Sequence, residues 1–216
     1  MRSSIARLST DLATLAKLDA QRRIFGARSH RYSNVCVLID ELDALERELN
    51  VALPDDFRTF LLEIGFGGGP YYGIFSPDEI RKERAEWKGA ESAPVEDREC
   101  KPGTGRADIE FPVSRTELIG ALANPEWPCV RIPWNPDGAI PICHHGCMFW
   151  TILVTTGELR GVVLDYYTDH EAGTSAHVPP TVDDIEPSAK LISETPTFAD
   201  WFAAWIENSL RDLAHL

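Results

Sequence analysis

Apolar residues recur at helical spacing through the first half of the chain and in short strand-like runs through much of the second. From residue 4 to 24, Ile5, Leu8, Leu12, Leu15 and Leu18 share one helical stripe, and Gly26 breaks the pattern. A second stripe, Val35, Leu38, Leu42, Leu45 and Leu49, predicts a helix from about Asn34 to Leu49. The segment LPDDFRTFLLEIG predicts a third, with Phe57, Phe60, Leu61 and Ile64 inward. Its punctuation is complete. Pro54 suits the first helical position, Asp55 and Asp56 suit the positive N-terminal end, and Gly65 suits the stop.

FGGGPYYGIF follows as a glycine-proline loop, with Tyr72–Phe75 a short strand. Ser76, Pro77 and Glu79 read as a capping box opening a charged helix. The polar stretch 88–106 reads as a surface loop, and a short helix runs near Arg115–Ala123. Four strands are predicted, at Val130–Trp134, Ala139–Cys143, Met148–Thr155 and Val162–Tyr167. Residues 170–197, with four prolines and many acids, read as loop. A terminal helix closes the chain, capped by Thr197 with Asp200 at the box position. Phe198, Trp201, Phe202, Trp205 and Leu213 form its inward stripe. Helices, then antiparallel strands, then a helix give an α+β fold. At 216 residues the chain fits one domain, or one domain with an extra N-terminal piece.

Charge changes the picture. The net charge is −13, and residues 151–216 hold three basic against eleven acidic groups. Such a field repels phosphate backbones and speeds encounters with basic partners, so a basic protein is expected as partner and nucleic acid is not. No apolar run reaches eighteen residues, and the N-terminus lacks a secretory h-region and cleavage site. Five cysteines suggest no disulfide framework, so a reducing cytoplasm is expected.

Cys143, His144, His145 and Cys147 crowd into five residues and invite a metal or nucleophile reading. On a strand, same-face Cα atoms lie about 6.6 Å apart, too far for Cys143, His145 and Cys147 to wrap one zinc ion. A turn at His145-Gly146 would relieve the geometry, but no second CxxC or HxxxH pair completes a site. As a nucleophile centre, the cluster lacks the electropositive, partly exposed setting that a catalytic thiol needs. Cysteines acting as small core hydrophobes are favoured. Gly67–Gly69 follows a helix and no Gly-Lys-Ser/Thr completes it, so it reads as a turn and not a phosphate cradle. Asp183 and Asp184 read as solvated.

LPDDFRTFLLEIGFGGGPYYGIFSP resembles the opening helix–Gly turn–strand signature of the SUKH superfamily, the Smi/Knr-like domains. ICHHGCMFWTILVTTGELRGVVLDY is similar to that family's His-Gly-Cys strand and its TG…RG turn, and TFADWFAAWIENSL looks like its terminal aromatic helix. The resemblance covers roughly Val35 to Leu210. It departs at Met148, where the family often has a second glycine, and in the additions at 1–30 and 88–106.

The resemblance implies a SUKH-like α+β fold at 31–216, its mixed, mainly antiparallel sheet flanked by helices, with residues 1–30 as a helical extension and no shared catalytic residues; no cofactor and no metal are expected. It implies an immunity protein that neutralises a cognate toxin, often a nuclease whose cleft is basic. Acidic Asp165, Asp169, Glu171, Asp183, Asp184 and Glu186, with Tyr166 and Tyr167 as aromatic anchors, are the expected exposed partner-binding surface. The alternatives are a cytoplasmic regulatory or scaffold module, and, from a different class, a metal- or thiol-dependent enzyme centred on Cys143–Cys147.

Overall fold

The computed structural model describes residues 5–89, 103–123, 130–133, 135–146, 149–169, 173–177 and 196–215. Its helices are α1 (Ile5–Leu18), α2 (Ala27–His30), α3 (Ile39–Leu49), α4 (Asp55–Glu63), α5 (Pro77–Gly89), α6 (Arg115–Leu122) and α7 (Phe198–Ala214). Its strands are β1 (Asn34–Val35), β2 (Phe66–Gly67), β3 (Val130–Arg131), β4 (Ala139–Gly146), β5 (Phe149–Val154), β6 (Val163–Asp169) and β7 (Gly173–His177). β1 and β2 pair alone, and the other five form an antiparallel sheet in the order β3-β7-β6-β5-β4. Among the described residues, no helix is long and apolar enough to cross a membrane.

Alternation along the central strands sends neighbouring side chains to opposite faces, and the core divides accordingly. Leu153 and Val163 join a large cluster with Leu8, Leu12 and Leu15 of α1, Leu42 and Leu45 of α3, Phe57 and Phe60 of α4, and Phe198 and Phe202 of α7. Ile152, Val154, Leu164 and Tyr166 join a second cluster with Trp87 of α5, Phe111, Val113 and Leu118 of α6. α1, in the segment read as an extension, therefore shares the main core. Phe60 meets Phe198 and Phe202 with ring centroids 4.8 and 4.7 Å apart, fixing α7 across α4.

Most sequence-predicted elements are present; α1 ends at Leu18, short of residue 24, α2 lies in the stretch read as a break, and three further differences follow. The second helix begins at Ile39, because Asn34 and Val35 pair with Gly67 and Phe66 and the Val37 amide donates to the Leu61 carbonyl. Its outer apolar residues, Val35, Leu38 and Ile39, are consequently exposed. Tyr72–Phe75 makes only a bridge between Ile74 and Cys143 and two flanking bonds along β4, from the Tyr72 amide to His144 and the Phe75 amide to Ile142. Part of the segment read as loop is strand β7, with Thr174 and Ser175 in register with Thr168 and Tyr167. Its small polar residues carry no apolar alternation, so its place comes from pairing with β6.

Caps follow the sequence at α5 and α7, whereas Pro54 is the N-cap of α4 and Asp55 its first helical residue. Ser76 and Glu79 exchange bonds at the head of α5, Ser114 and Glu117 form a full capping box on α6, and the Thr197 hydroxyl accepts from the Asp200 amide. Gly65, with φ 99°, ends α4, and a Cβ there would collide with the Val35–Cys36 backbone.

Candidate functional site

A buried polar cluster forms beside β4, where two register shifts interrupt its ladder with β5. Pro141 pairs with Ile152 and Cys143 with Thr151, leaving Ile142 as an extra residue. His144 pairs with Trp150 and Gly146 with Phe149, leaving His145 as the second. A bulge bends the strand and re-aims the side chain it carries. Here His145 turns onto the face that holds Thr151 and Asp165.

The three side chains form a chain of contacts. His145 Nε2 lies 2.6 Å from Thr151 Oγ1, the Thr151 hydroxyl donates to Asp165 Oδ1 at 3.0 Å, and His145 Nε2 is 3.4 Å from Asp165 Oδ1. With Nε2 protonated, His145 donates to Thr151, which donates to Asp165, and both bonds are satisfied. Asp165 is only 17% exposed, and no Lys or Arg pairs with it among the described residues. Burial pushes its carboxyl up to about 7, opposed by the Thr151 hydrogen bond. Burial, aided by the adjacent His144, holds His145 down to about 4, so its ring is neutral near pH 7.

Tyr71 stacks on His145 with centroids 3.5 Å apart, and Phe25 meets Tyr71 edge-on at 6.4 Å and Tyr72 at 5.5 Å. The Cys143 thiol donates to the Pro70 carbonyl at 3.2 Å, behind this layer. It is fully buried, and desolvation together with Asp165 pushes its pKa well above the ordinary thiol value. Cys143 is therefore a protonated core group and no nucleophile at neutral pH, because the thiolate is the reactive form.

A cleft of about 680 Å³ opens above the stack. Arg23, Ile24 and Phe25 form one wall, Tyr71 and His145 the floor, and Trp205, Asn208, Ser209 and Asp212 of α7, with His215 at its end, the other wall. The 23–25 segment is held by Asp19, whose carboxylate accepts from the Arg23 and Ile24 amides at 2.7 and 3.1 Å and from the Tyr32 hydroxyl at 2.7 Å. Those bonds outweigh desolvation and lower its pKa. The neighbouring His30 accepts from the Tyr32 amide through Nδ1, while its buried Nε2 has no hydrogen-bond partner among the described residues. Burial holds its pKa down to about 4 against the pull of Asp19.

The eight residues expected to face a partner are placed as follows. Tyr166 is fully buried in the second core cluster, beside Trp87 and Trp150, so it is no exposed anchor. Asp165 points to His145 and Thr151, so it too is not part of an exposed acidic rim. Period-2 alternation explains both, since each face of the central strand β6 is covered by a packed layer. Tyr167 and Asp169 lie in β6, in register with Ser175 and Gly173. Glu171, Asp183, Asp184 and Glu186 lie outside the described residues, as does Cys147.

The sequence reading did not find Tyr71, Thr151 or Phe25. The available signals were Thr151, a hydroxyl inside an otherwise apolar run, and Asp165, a carboxylate within a strand covered on both sides. Among the described residues, no three His, Cys, Asp or Glu side chains gather as a metal ion requires.

No curated protein and no solved structure matches the chain. The model of the SMI1 / KNR4 family (SUKH-1) matches residues 37–204, which span β4 with its two bulges, the Thr151–Asp165 pair and most of α7's aromatic stripe. With most of its length matched and the α+β architecture in place, this chain belongs to the SMI1 / KNR4 family (SUKH-1).

Proposed function

We propose that the chain is a non-enzymatic, cytoplasmic immunity protein that binds and neutralises a cognate toxin with a basic surface, of the kind a nuclease uses to hold phosphates. The observation that carries this reading is the charge distribution of a SUKH-1 domain. The net charge is −13, and residues 151–216 alone contribute −8, from three basic and eleven acidic groups. Carboxylates at the spacing of a nucleic acid's phosphates can occupy a phosphate-binding cleft and raise the association rate by steering. Asp169, Glu171, Asp183, Asp184 and Glu186 are the acids assigned to that contact. The protonated, enclosed thiol of Cys143 favours binding over thiol chemistry.

Co-expression with the toxin encoded beside it tests the reading. Growth should be restored and a stable complex recovered, with an association rate that falls as salt rises. Replacing Asp183, Asp184 and Glu186 by Lys should slow association while leaving the fold intact. No rescue and no complex would sink the proposal.

A further inference from the structure

We infer that the cleft between the end of α7 and the Phe25–Tyr71–His145 stack is a guanidinium site that takes an arginine side chain of the protein partner. The inference rests on the partner-binding reading above and adds a place and a chemistry to it.

Three observations converge on a cation. The first is aromatic surface. Phe25 is 59% exposed at the rim, Tyr71 stacks on His145 at the floor, and Trp205 stands on the opposite wall. Flat π faces around an open cleft attract a cation, and a planar guanidinium can also stack on them. The neutral His145 ring, kept so by burial, does not repel one.

The second is the helix end. α7 runs 17 residues, and its final turns border the cleft with the negative end of the helix dipole. Asp212 sits in that same last turn, where a carboxylate opposes the dipole. Its carboxylate has no hydrogen-bond or ion-pair partner among the described residues, so an incoming cation relieves both terms.

The third is the state of the one Arg on the rim. Arg23 donates its backbone amide to Asp19 Oδ1, and no ion pair joins its guanidinium to Asp212 among the described residues. It therefore leaves Asp212 uncompensated. Asp165, one layer below His145, is a second carboxylate with no Lys or Arg beside it among the described residues. Arginine fits better than lysine because its plane can stack on the exposed Phe25 ring while its five donors face Asp212 and the C-terminal end of α7. The overall negative field brings a basic protein to this cleft.

The test titrates the tripeptide acetyl-Gly-Arg-Gly-amide into the full chain and follows the Trp205 indole and Phe25 ring signals by NMR. Saturable shifts are expected, weaker binding for the lysine analogue, and none for the glutamate analogue. Phe25→Ala and Asp212→Asn, both at exposed positions, should each weaken binding about three- to tenfold. Near-UV circular dichroism confirms that each variant keeps its fold. No saturable shift, equal binding of the glutamate peptide, or two variants that bind like the parent would overturn the site. Loss of peptide binding with toxin rescue intact removes this site alone. Peptide binding without rescue keeps the site and removes the immunity reading.

Discussion

Asp165→Asn should stabilise the protein, and the gain should grow with pH. In the folded chain the carboxyl titrates at about 7, whereas the ordinary carboxyl value is 3.8. The folded state therefore holds its proton where the unfolded state has released it. For a carboxyl raised in this way, stability is fully present below pH 3.8 and is lost as pH climbs to about 7. Each pH step between those values costs about 1.4 kcal/mol, so about 4 kcal/mol is lost once both states are ionised. Asparagine imitates the protonated acid. Its Oδ1 accepts the same Thr151 hydrogen bond and it has no charge to desolvate. Urea titrations followed by Trp fluorescence, at matched slope, should show the variant and parent equal near pH 4. The variant should lead by about 1.5 kcal/mol at pH 5 and about 4 kcal/mol at pH 8. His30 cancels between the two chains, and His145, held down to about 4, is neutral in the folded state of both above about pH 5. A pH-independent difference, or an Asn variant less stable than its parent at pH 8, would refute the assignment of Asp165 as a desolvated carboxyl without a cation.

His30 and His145 act in the opposite direction. Burial holds both at about 4 against 6.5, so each costs the folded state about 3 kcal/mol as pH falls from 6.5 through 4. NMR should show both rings neutral at pH 5.5; protonation of either near 6.5 would contradict the burial argument. Gly26→Ala should destabilise by about 2 kcal/mol or more in a thermal melt, because φ is 81° and a Cβ would overlap the Tyr71 carbonyl; a neutral substitution would show that this contact yields easily. Exposed Cys36 should react with iodoacetamide in the native state while buried Cys143 reacts only in denaturant, read by peptide mass spectrometry; native alkylation of Cys143 would mean that the site opens.

What the sequence conveyed depended on whether the interaction was local. Helix α4, with Pro54, Asp55, Asp56 and Gly65 around its Phe57–Ile64 stripe, could be read because caps and periodicity lie within one segment. The capping pairs Ser76–Glu79 and Ser114–Glu117 are likewise three residues apart, although only the first was identified. Strand β7 was invisible, since Gly173–His177 carries no apolar alternation and owes its state to β6. The helix predicted from Asn34 began late for a similar reason, because Gly67 and Phe66, 33 and 31 residues on, claim Asn34 and Val35 for a ladder.

The site shows the same division more sharply. Strand alternation argued against a zinc cage at Cys143, His145 and Cys147, yet it assumed an unbroken ladder. One extra residue in β4 undoes that assumption and delivers His145 to Thr151, six residues on, and to Asp165, twenty residues on. No spacing rule encodes that meeting, because the bulge exists only relative to β5. The same step moves Asp165 from an imagined acidic rim to the interior, where burial raises its pKa and leaves it without a basic partner. A carboxylate in a strand covered on both faces must either be paired or be held protonated. Here the pairing is incomplete, a hydroxyl and a neutral imidazole serving where a cation would do better. A guanidinium seated above His145 would make the neighbourhood of Asp165 more positive and pull its pKa back toward the ordinary carboxylate value. The pH dependence of stability should therefore flatten when the arginine peptide is bound and return when Asp212→Asn weakens its binding. If the slope between pH 5 and 8 is the same at saturating peptide, the cleft and the buried carboxyl are electrostatically separate and the cation sits farther out than the Tyr71–His145 floor.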